Sequence, residues 1–592
     1  MRRILFALLT GLAVQASQAQ EWPHYGGDAG GARYSPLKQI DRSNVARLKT
    51  AWTYATGDVS DGKTLPTRSA FEATPLKVGD RLYVTTPFNR LIALDAATGK
   101  ELWAFDPELD RKRTYSLYIS RGAAHWTDGK TQRLLLGTLD GRLFSIDAAT
   151  GKPQWQINLR NGVADKYATR GYGLTSPVSV FRNLVIAGSL ASDGEPQGPG
   201  GDVRAFDVLT GKLVWRFHVV PREGEFGHDT WAAGSTEGRG GINAWAPLSV
   251  DEKHDLVFLP LTSPATDRFG GDRHGDNLFG NSLVALRASN GERVWHYQFV
   301  RHDIWDYDLP AQPTLLEIDG EPYVAQVTKM GLLFVFHRLT GKPLFPIEER
   351  AVPASVVPGE KTAATQPFPT LPAPFARNSF SADQVRDDSA FCQALVKDAD
   401  AGGPYTPVGL RNTIVFPGTN GGANWGGASF DPRTATLFVN SMDVGMIQRM
   451  VSRNADMPRS RGPGTVDSRF WDRELRPCQR PPWGHLTAID LRTGRFRWRS
   501  ILGAEGTGSP NIGGSLATAG DVIFIGASND SRFRAFDSGS GKVLWEVSLP
   551  ASAFATPMTY TAGGKQFVVI AAGGGNDYSE AVSDKLIAFA LP

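Results

Sequence analysis

The densest grouping of reactive side chains is segment 301–315, RHDIWDYDLPAQPTL. Asp306 follows a Trp directly and Asp308 stands two places on. A carboxylate within hydrogen-bond reach of a hydroxyl can take its proton. Taken alone, Asp306 would equally cap a strand or turn. Lys329 stands 23 residues after Asp306, in QVTKMGLLFVF. Alone it reads as an exposed strand lysine. Arg121 in YISRGAAHW, Thr175 and Ser176 in GLTSP, Trp245 in INAWAPLSVD, and Asn424-Trp425 add a guanidinium fork, hydroxyls and flat aromatic surfaces. Each of these, by itself, has a core or turn explanation.

Scattered residues of this kind need a frame, and repetition supplies one. Residues 91–103 read LIALDAATGKELW. The same register returns at 143–155, 203–215, 283–295, 333–345, 486–498 and 533–545. Each copy begins as a strand with alternating apolar positions. An Asp and a Thr or Ser lead into a Gly, which takes the positive φ of a tight turn. A second strand ends in Trp (Phe in one copy), suited to packing into the next unit. The Asp-to-Asp spacings of 52, 60 and 47 are one-blade distances for a four-stranded propeller. The interval from His337 to Asp490, 153 residues, is too long for one blade. It holds a further strand pair at 424–440, read here as an eighth unit without the Trp. The expected fold is all-β: an eight-bladed β-propeller with tryptophan docking repeats, forming a single domain over 20–592. Ring closure is expected to join 21–54 to strands at 556–570 and 585–591, leaving no open edge. Residues 346–412, rich in Pro, Ala and Asp, break the rhythm as a long excursion on one face. They serve either as a functional cap or as a surface wrap.

Composition narrows the function. The chain has 592 residues, 41% of them apolar, and a net charge of only +3. No basic block exists, which excludes a nucleic-acid binder. Arg2, Arg3, the apolar run 4–14 and Ser17-Gln18-Ala19 read as a secretory signal over 1–19, with a retained anchor as the other reading. No later segment approaches transmembrane length. The location expected is the periplasm. Cys392 and Cys478 form a disulfide or stay as two buried thiols; sequence leaves both open. There is no C-x-x-C-H, so no covalent haem.

Segment 301–315 resembles the pyrroloquinoline quinone (PQQ)-dependent dehydrogenases, closest to the glucose and quinate branch, whose members carry a matching W-D-x-D-L-P-A-Q-P. The likeness runs from Trp22-Pro23 and GGARYSPLKQI through the Trp repeats to IAFALP at the end. The membrane spans of the membrane-type glucose enzymes are not matched. The resemblance implies that Asp306 is the catalytic base and that hydride goes to the quinone C5. Lys329 corresponds to the cation that contacts the quinone oxygens, where it stabilises the reduced, more anionic cofactor. Arg121 meets the cofactor's carboxylates. Thr175, Ser176, Asn424 and Trp425 are further contacts, and Trp245 is the aromatic floor. These positions fall on successive blades, as a ligand on the axis requires. A metal is implied as Lewis acid, Ca2+ first, with Mg2+ or a lanthanide not excluded. Its expected ligands are Asp193 (with Glu195 nearby), Ser263 or Thr262, and Asp306. Two departures stand out. Tyr115-Ser116 replace the adjacent cysteines of the alcohol-oxidising branch, and Leu117 replaces the His of the glucose-oxidising branch.

The expected function is oxidation of an alcohol, polyol, sugar or cyclic hydroxy acid. Electrons would leave to a soluble cytochrome c or a membrane quinone. The competing reading is a non-catalytic envelope scaffold, which would keep the Trp repeats but lose Asp306, Lys329, Arg121 and Trp245.

Overall fold

Central strands of the repeats are apolar on both faces. Leu91–Asp95 and Leu256–Pro260 are almost wholly buried, whereas the outermost strand Glu101–Phe105 alternates toward solvent. A strand buried on both sides needs a sheet stacked against each face, and radial blades provide that. The computed structural model describes residues 20–162, 171–451, 464–576 and 578–592, without the side chains of 464–466. The expected signal segment 1–19 lies outside the described residues. Four antiparallel blades occupy 76–105, 124–158, 179–217 and 249–298. A fifth, at 314–337, has three strands, with Pro343 bridging to Phe336 in the fourth place. Blades six and seven lie at 428–501 and 515–548. The eighth joins Met558–Ala562, Lys565–Gly574 and Val582–Ala590 to Lys49–Ala55 from the other end of the chain.

The turn and the clasp of each repeat have visible causes. Asp95 Oδ1 accepts from the Thr98 backbone N–H (2.9 Å) and hydroxyl (2.7 Å), and Asp147 with Thr150 and Asp207 with Thr210 do the same. The Gly that follows is at positive φ and lies flat under the Trp of the preceding blade. A Cβ on Gly151 would stand 2.6 Å from Trp103, and one on Gly291 2.7 Å from Trp215. The indole N–H then donates to a backbone carbonyl of the next blade: Trp155 to Val208 (2.9 Å), Trp295 to Arg338 (2.9 Å), Trp498 to Ser538 (2.9 Å). Phe345 takes the same place against Gly494. Trp52, in the closing blade, packs on Gly99 and completes the set.

One expectation needs correction. The strand pair at 424–440 is not a blade of its own. Ala428–Asp431 and Thr436–Met442 pair with Gly484–Asp490 and Arg495–Ile501 in a single sheet. The count of eight holds because the closing blade is the eighth. The long interval arises from two insertions on one face. The first, after blade five, contains the hairpin Ile347–Ala351/Thr365–Pro369 and the helix Ala390–Val396. The second lies between Thr436–Met442 and Gly484–Asp490. Together they build a sheet of Asp400–Ala401, Thr413–Val415, Met446–Val451 and Gly464–Arg469. Cys392 and Cys478 are disulfide-bonded (S–S 2.02 Å) and join the two insertions.

The N-terminal segment crosses the ring. Trp22 pairs with Lys77 of blade one, and the carbonyls of Ala29, Gly30, Ala32 and Arg33 accept from Val250, Leu315, Phe430 and Ala517 of blades four to seven. Among the described residues no helix is long and apolar enough to cross a membrane.

Candidate functional site

Loops that enter the innermost strands open on the same face as the turns between second and third strands. Arg121, Thr175, Ser176, Trp245, Asp306, Asp308 and Trp425 are in the former, and Lys329 in the latter. The ring therefore brings them together.

One half of the site is aromatic and cationic. The Arg121 guanidinium lies 4.7 Å from the Trp425 ring centroid and 5.4 Å from that of Trp245. It pairs with Glu72 at 3.2 Å. Burial pushes the Glu72 carboxyl up, and Arg121 draws it back. The Thr175 carbonyl accepts from the Arg121 backbone N–H (2.9 Å), yet Thr175 Oγ1, Ser176 Oγ and Arg121 Nε are buried without partners. Unpartnered buried polar atoms are costly unless a ligand satisfies them. Hydroxyls, a guanidinium and two indole faces fit a flat, polyanionic cofactor such as PQQ. Asn424 instead spends its side chain on its own loop, donating to the Asn420 carbonyl and accepting from the Trp425 N–H. Leu117 packs in an apolar cluster with Phe88 and Tyr118.

The other half is a network of charges. Lys329, 4% exposed, donates to Asp306 Oδ1 (2.9 Å), the Asp306 carbonyl (2.8 Å) and Asp308 Oδ2 (3.3 Å). The 418–427 loop presses on it: a Cβ on Gly421 (φ +75°) would meet the Lys329 Cα at 2.5 Å. Arg268 reaches Asp306 Oδ2 at 3.4 Å. Burial pushes the Asp306 carboxyl well above the usual carboxylate range, against the pull of Lys329. Asp308 also accepts from the Trp245 indole (3.3 Å) and the Ser263 N–H (2.9 Å). Burial, with Asp267 and Asp308 nearby, pushes Asp193 up to about 7. Carboxylates that repel one another in this way suit a hard cation. Among the described residues no ready-made group of three or more acidic, His or Cys ligands is present. The Ser263 hydroxyl donates to Asp303 and accepts from Asn281, so it reaches the cluster through its backbone.

Asp306 sits at φ +59°, and the residues around it explain how that is held. Asp303 is buried and accepts from the N–H groups of Trp305 and Tyr307 (both 2.9 Å) and from Asn281 (3.0 Å). The first insertion braces the loop from outside. Glu349 forks Arg301 (2.7 Å twice), Gln366 exchanges two bonds with the Arg301 backbone, and the Thr406 carbonyl takes the Trp305 indole N–H (3.0 Å). Glu360, its side chain 2% exposed, bonds His302 (2.7 Å) and the Gly270 N–H (2.5 Å). It thereby ties the Asp306 loop to the Asp267-Arg268 loop. Sequence reading missed Glu72, Asp267, Arg268, Asp303 and Glu360; Asp303 lies within segment 301–315 with nothing to mark its role, and the other four lie in no motif that sets them apart from surface acids and bases.

An eight-bladed ring with an axial site of this composition defines a propeller enzyme. The family model described as PQQ: glucose/ethanol/alcohol dehydrogenase, beta-propeller domain, matches residues 22–568. The quinoprotein glucose dehydrogenase A of Acinetobacter calcoaceticus is 34% identical over 98% of this chain and 80% of its own length. The quinate/shikimate dehydrogenase (quinone) of Acinetobacter baylyi is 33% identical over 97% and 79%. The solved quinohemoprotein alcohol dehydrogenase from Comamonas testosteroni superposes with a TM-score of 0.74 at 25% identity, covering 97% of this chain and 80% of that one. The chain belongs to the PQQ-dependent quinoprotein dehydrogenases and is an oxidoreductase acting on CH–OH donors.

Proposed function

We propose that the protein oxidises a small hydroxyl compound (a sugar, polyol, cyclic hydroxy acid or alcohol) with Asp306 as general base. The observation that carries this is the contact of Lys329 with both Asp306 and Asp308, facing the Arg121–Trp245–Trp425 cradle across one axial site. Lys329 holds Oδ1 of Asp306, and Oδ2, with Arg268 3.4 Å away, is the proton acceptor for the substrate hydroxyl. Asp303 and Glu360 keep that carboxylate aimed. PQQ, when bound, supplies the acceptor for the hydride. Arg121, Thr175, Ser176, Trp245 and Trp425 would hold it, with Asn424 behind Trp425. Asp193, Asp306 and Asp308, with Ser263 alongside, would hold a divalent cation, Ca2+ first, as Lewis acid. The family assignment favours the enzyme over the scaffold reading. Export to the periplasm is supported by the disulfide, which persists in oxidising compartments. The electron acceptor is then a cytochrome c or a membrane quinone.

The test is reconstitution of the apo-protein with PQQ and Ca2+, followed by dye reduction across alcohols, polyols, sugars and hydroxy acids. Metal-dependent binding with turnover on one class supports the reading. Absence of binding, with a lanthanide tried in place of Ca2+, sinks it.

A further inference from the structure

One charge inside the ring has no role in the chemistry above. Arg33 lies on the segment that crosses the axis and is 1% exposed. Nη1 donates to the Gly426 carbonyl, while Nε and Nη2 are buried without partners. Among the described residues no carboxylate lies within ion-pair distance of it. Tyr25 lies 5.3 Å from guanidinium carbon to ring centroid and supports the charge, but burial outweighs it and draws the Arg33 pKa down. The other cations of the site each face an acid: Arg121 has Glu72, Lys329 has Asp306 and Asp308, and Arg268 has Asp306. A buried charge with no counter-ion is strongly unfavourable.

The surroundings say where the counter-charge belongs. Gly426 directly follows Trp425, whose ring faces Arg121. A Cβ on Gly427 would stand 2.6 Å from Arg33 Nη1, so this loop closes directly on the guanidinium. Gly514 lies between the Gly426 carbonyl and Thr556 Oγ1, with a Cβ there 2.4 and 2.5 Å from them. That hydroxyl is also buried and unpartnered. Arg33, the Gly426 peptide and Thr556 thus form a polar layer next to the aromatic cradle.

We propose that Arg33 is the built-in counter-charge for the bound anionic cofactor, acting across the Trp425–Gly426–Gly427 backbone. It favours binding of the polyanion, and favours its reduced, more anionic form further. The inference rests on the cofactor reading above. Arg33 acts through the field in a low-dielectric interior and is a positioning residue, since it touches no reacting atom.

The experiment compares wild type with R33Q, R33M and R33K as apo-proteins and as PQQ–Ca2+ holoenzymes. R33Q keeps an amide donor for Gly426 without the charge; R33K keeps the charge. The neutral variants should bind PQQ about tenfold more weakly, with an apo melting temperature equal to or above wild type. A further tenfold loss of preference for the reduced form lowers the bound cofactor's potential by about 30 mV. R33K should stay close to wild type in both. Unchanged affinity and potential in R33Q and R33M overturns the proposal. A lowered apo melting temperature would then make Arg33 a simple clamp on Gly426; stabilisation of wild-type apo-protein alone by chloride would make it an inorganic-anion site. Failure of both neutral variants to fold overturns it too, because an uncompensated charge should cost the apo-protein stability. No PQQ binding by wild type removes the cofactor reading itself; wild-type binding with indifferent variants removes only this inference.

Discussion

On the Arg121 side of the site, each functional residue stands just ahead of an innermost strand, in a ring whose blades the tryptophan clasps join along their outer turns. On the Asp306 side, the loop turns through a left-handed residue and is tied down by side chains of the first insertion. The repeat positions Arg121, Thr175, Ser176 and Trp245, while Trp425 closes the first insertion. The insertion positions the base. A repeated frame can present similar loops around an axis, but strain in one loop has to be sustained by contacts outside the repeat.

Substitutions can break this contrast, beginning with the largest effect. Asp306→Asn keeps the shape and removes the proton acceptor. Turnover should fall by about 10^2–10^4, with PQQ affinity retained in a binding titration. Undiminished turnover would exclude Asp306 as the base. Lys329→Ala leaves Asp306 and Asp308 facing each other and should lower both turnover and PQQ affinity, turnover by about a hundredfold. Unchanged affinity would remove its assigned contact with the cofactor. Glu360→Gln tests the brace. It should lower kcat by about tenfold, leave PQQ affinity and the global melting temperature close to wild type, and so separate the two halves. Equal loss of cofactor affinity would show that the halves are not independently held. Trp155→Leu strikes the repeat instead, far from the base. A loss of about 2–4 kcal/mol of stability by denaturant unfolding is expected, with kcat nearly unchanged.

The sequence made the clasped blades legible because Asp, Gly and Trp of each unit are near neighbours along the chain. Trp52 escaped notice because its strand, Lys49–Ala55, pairs with Val582–Ala590 at the far end. The pair at 424–440 was misread because the second insertion separates it from Gly484–Asp490, its partner in the same sheet. Segment 301–315 pointed to Asp306, but not to what holds it. Asp303 lies within the segment, yet its bonds to Asn281 and to nearby N–H groups appear only in three dimensions. Glu72 and Arg268 had no local signal at all. The disulfide was undecided because a sequence separation of 86 says nothing of the proximity of the cysteines; the sheet shared by the two insertions does.

The closing blade also sets the order of events at birth. Lys49–Ala55 hydrogen-bonds to Val582–Ala590, a strand made long after it. The ring cannot be sealed before that strand emerges, so Lys49–Ala55 waits for its partner while seven blades are synthesised. Pairing of these two strands is the step that commits the growing chain to the closed ring.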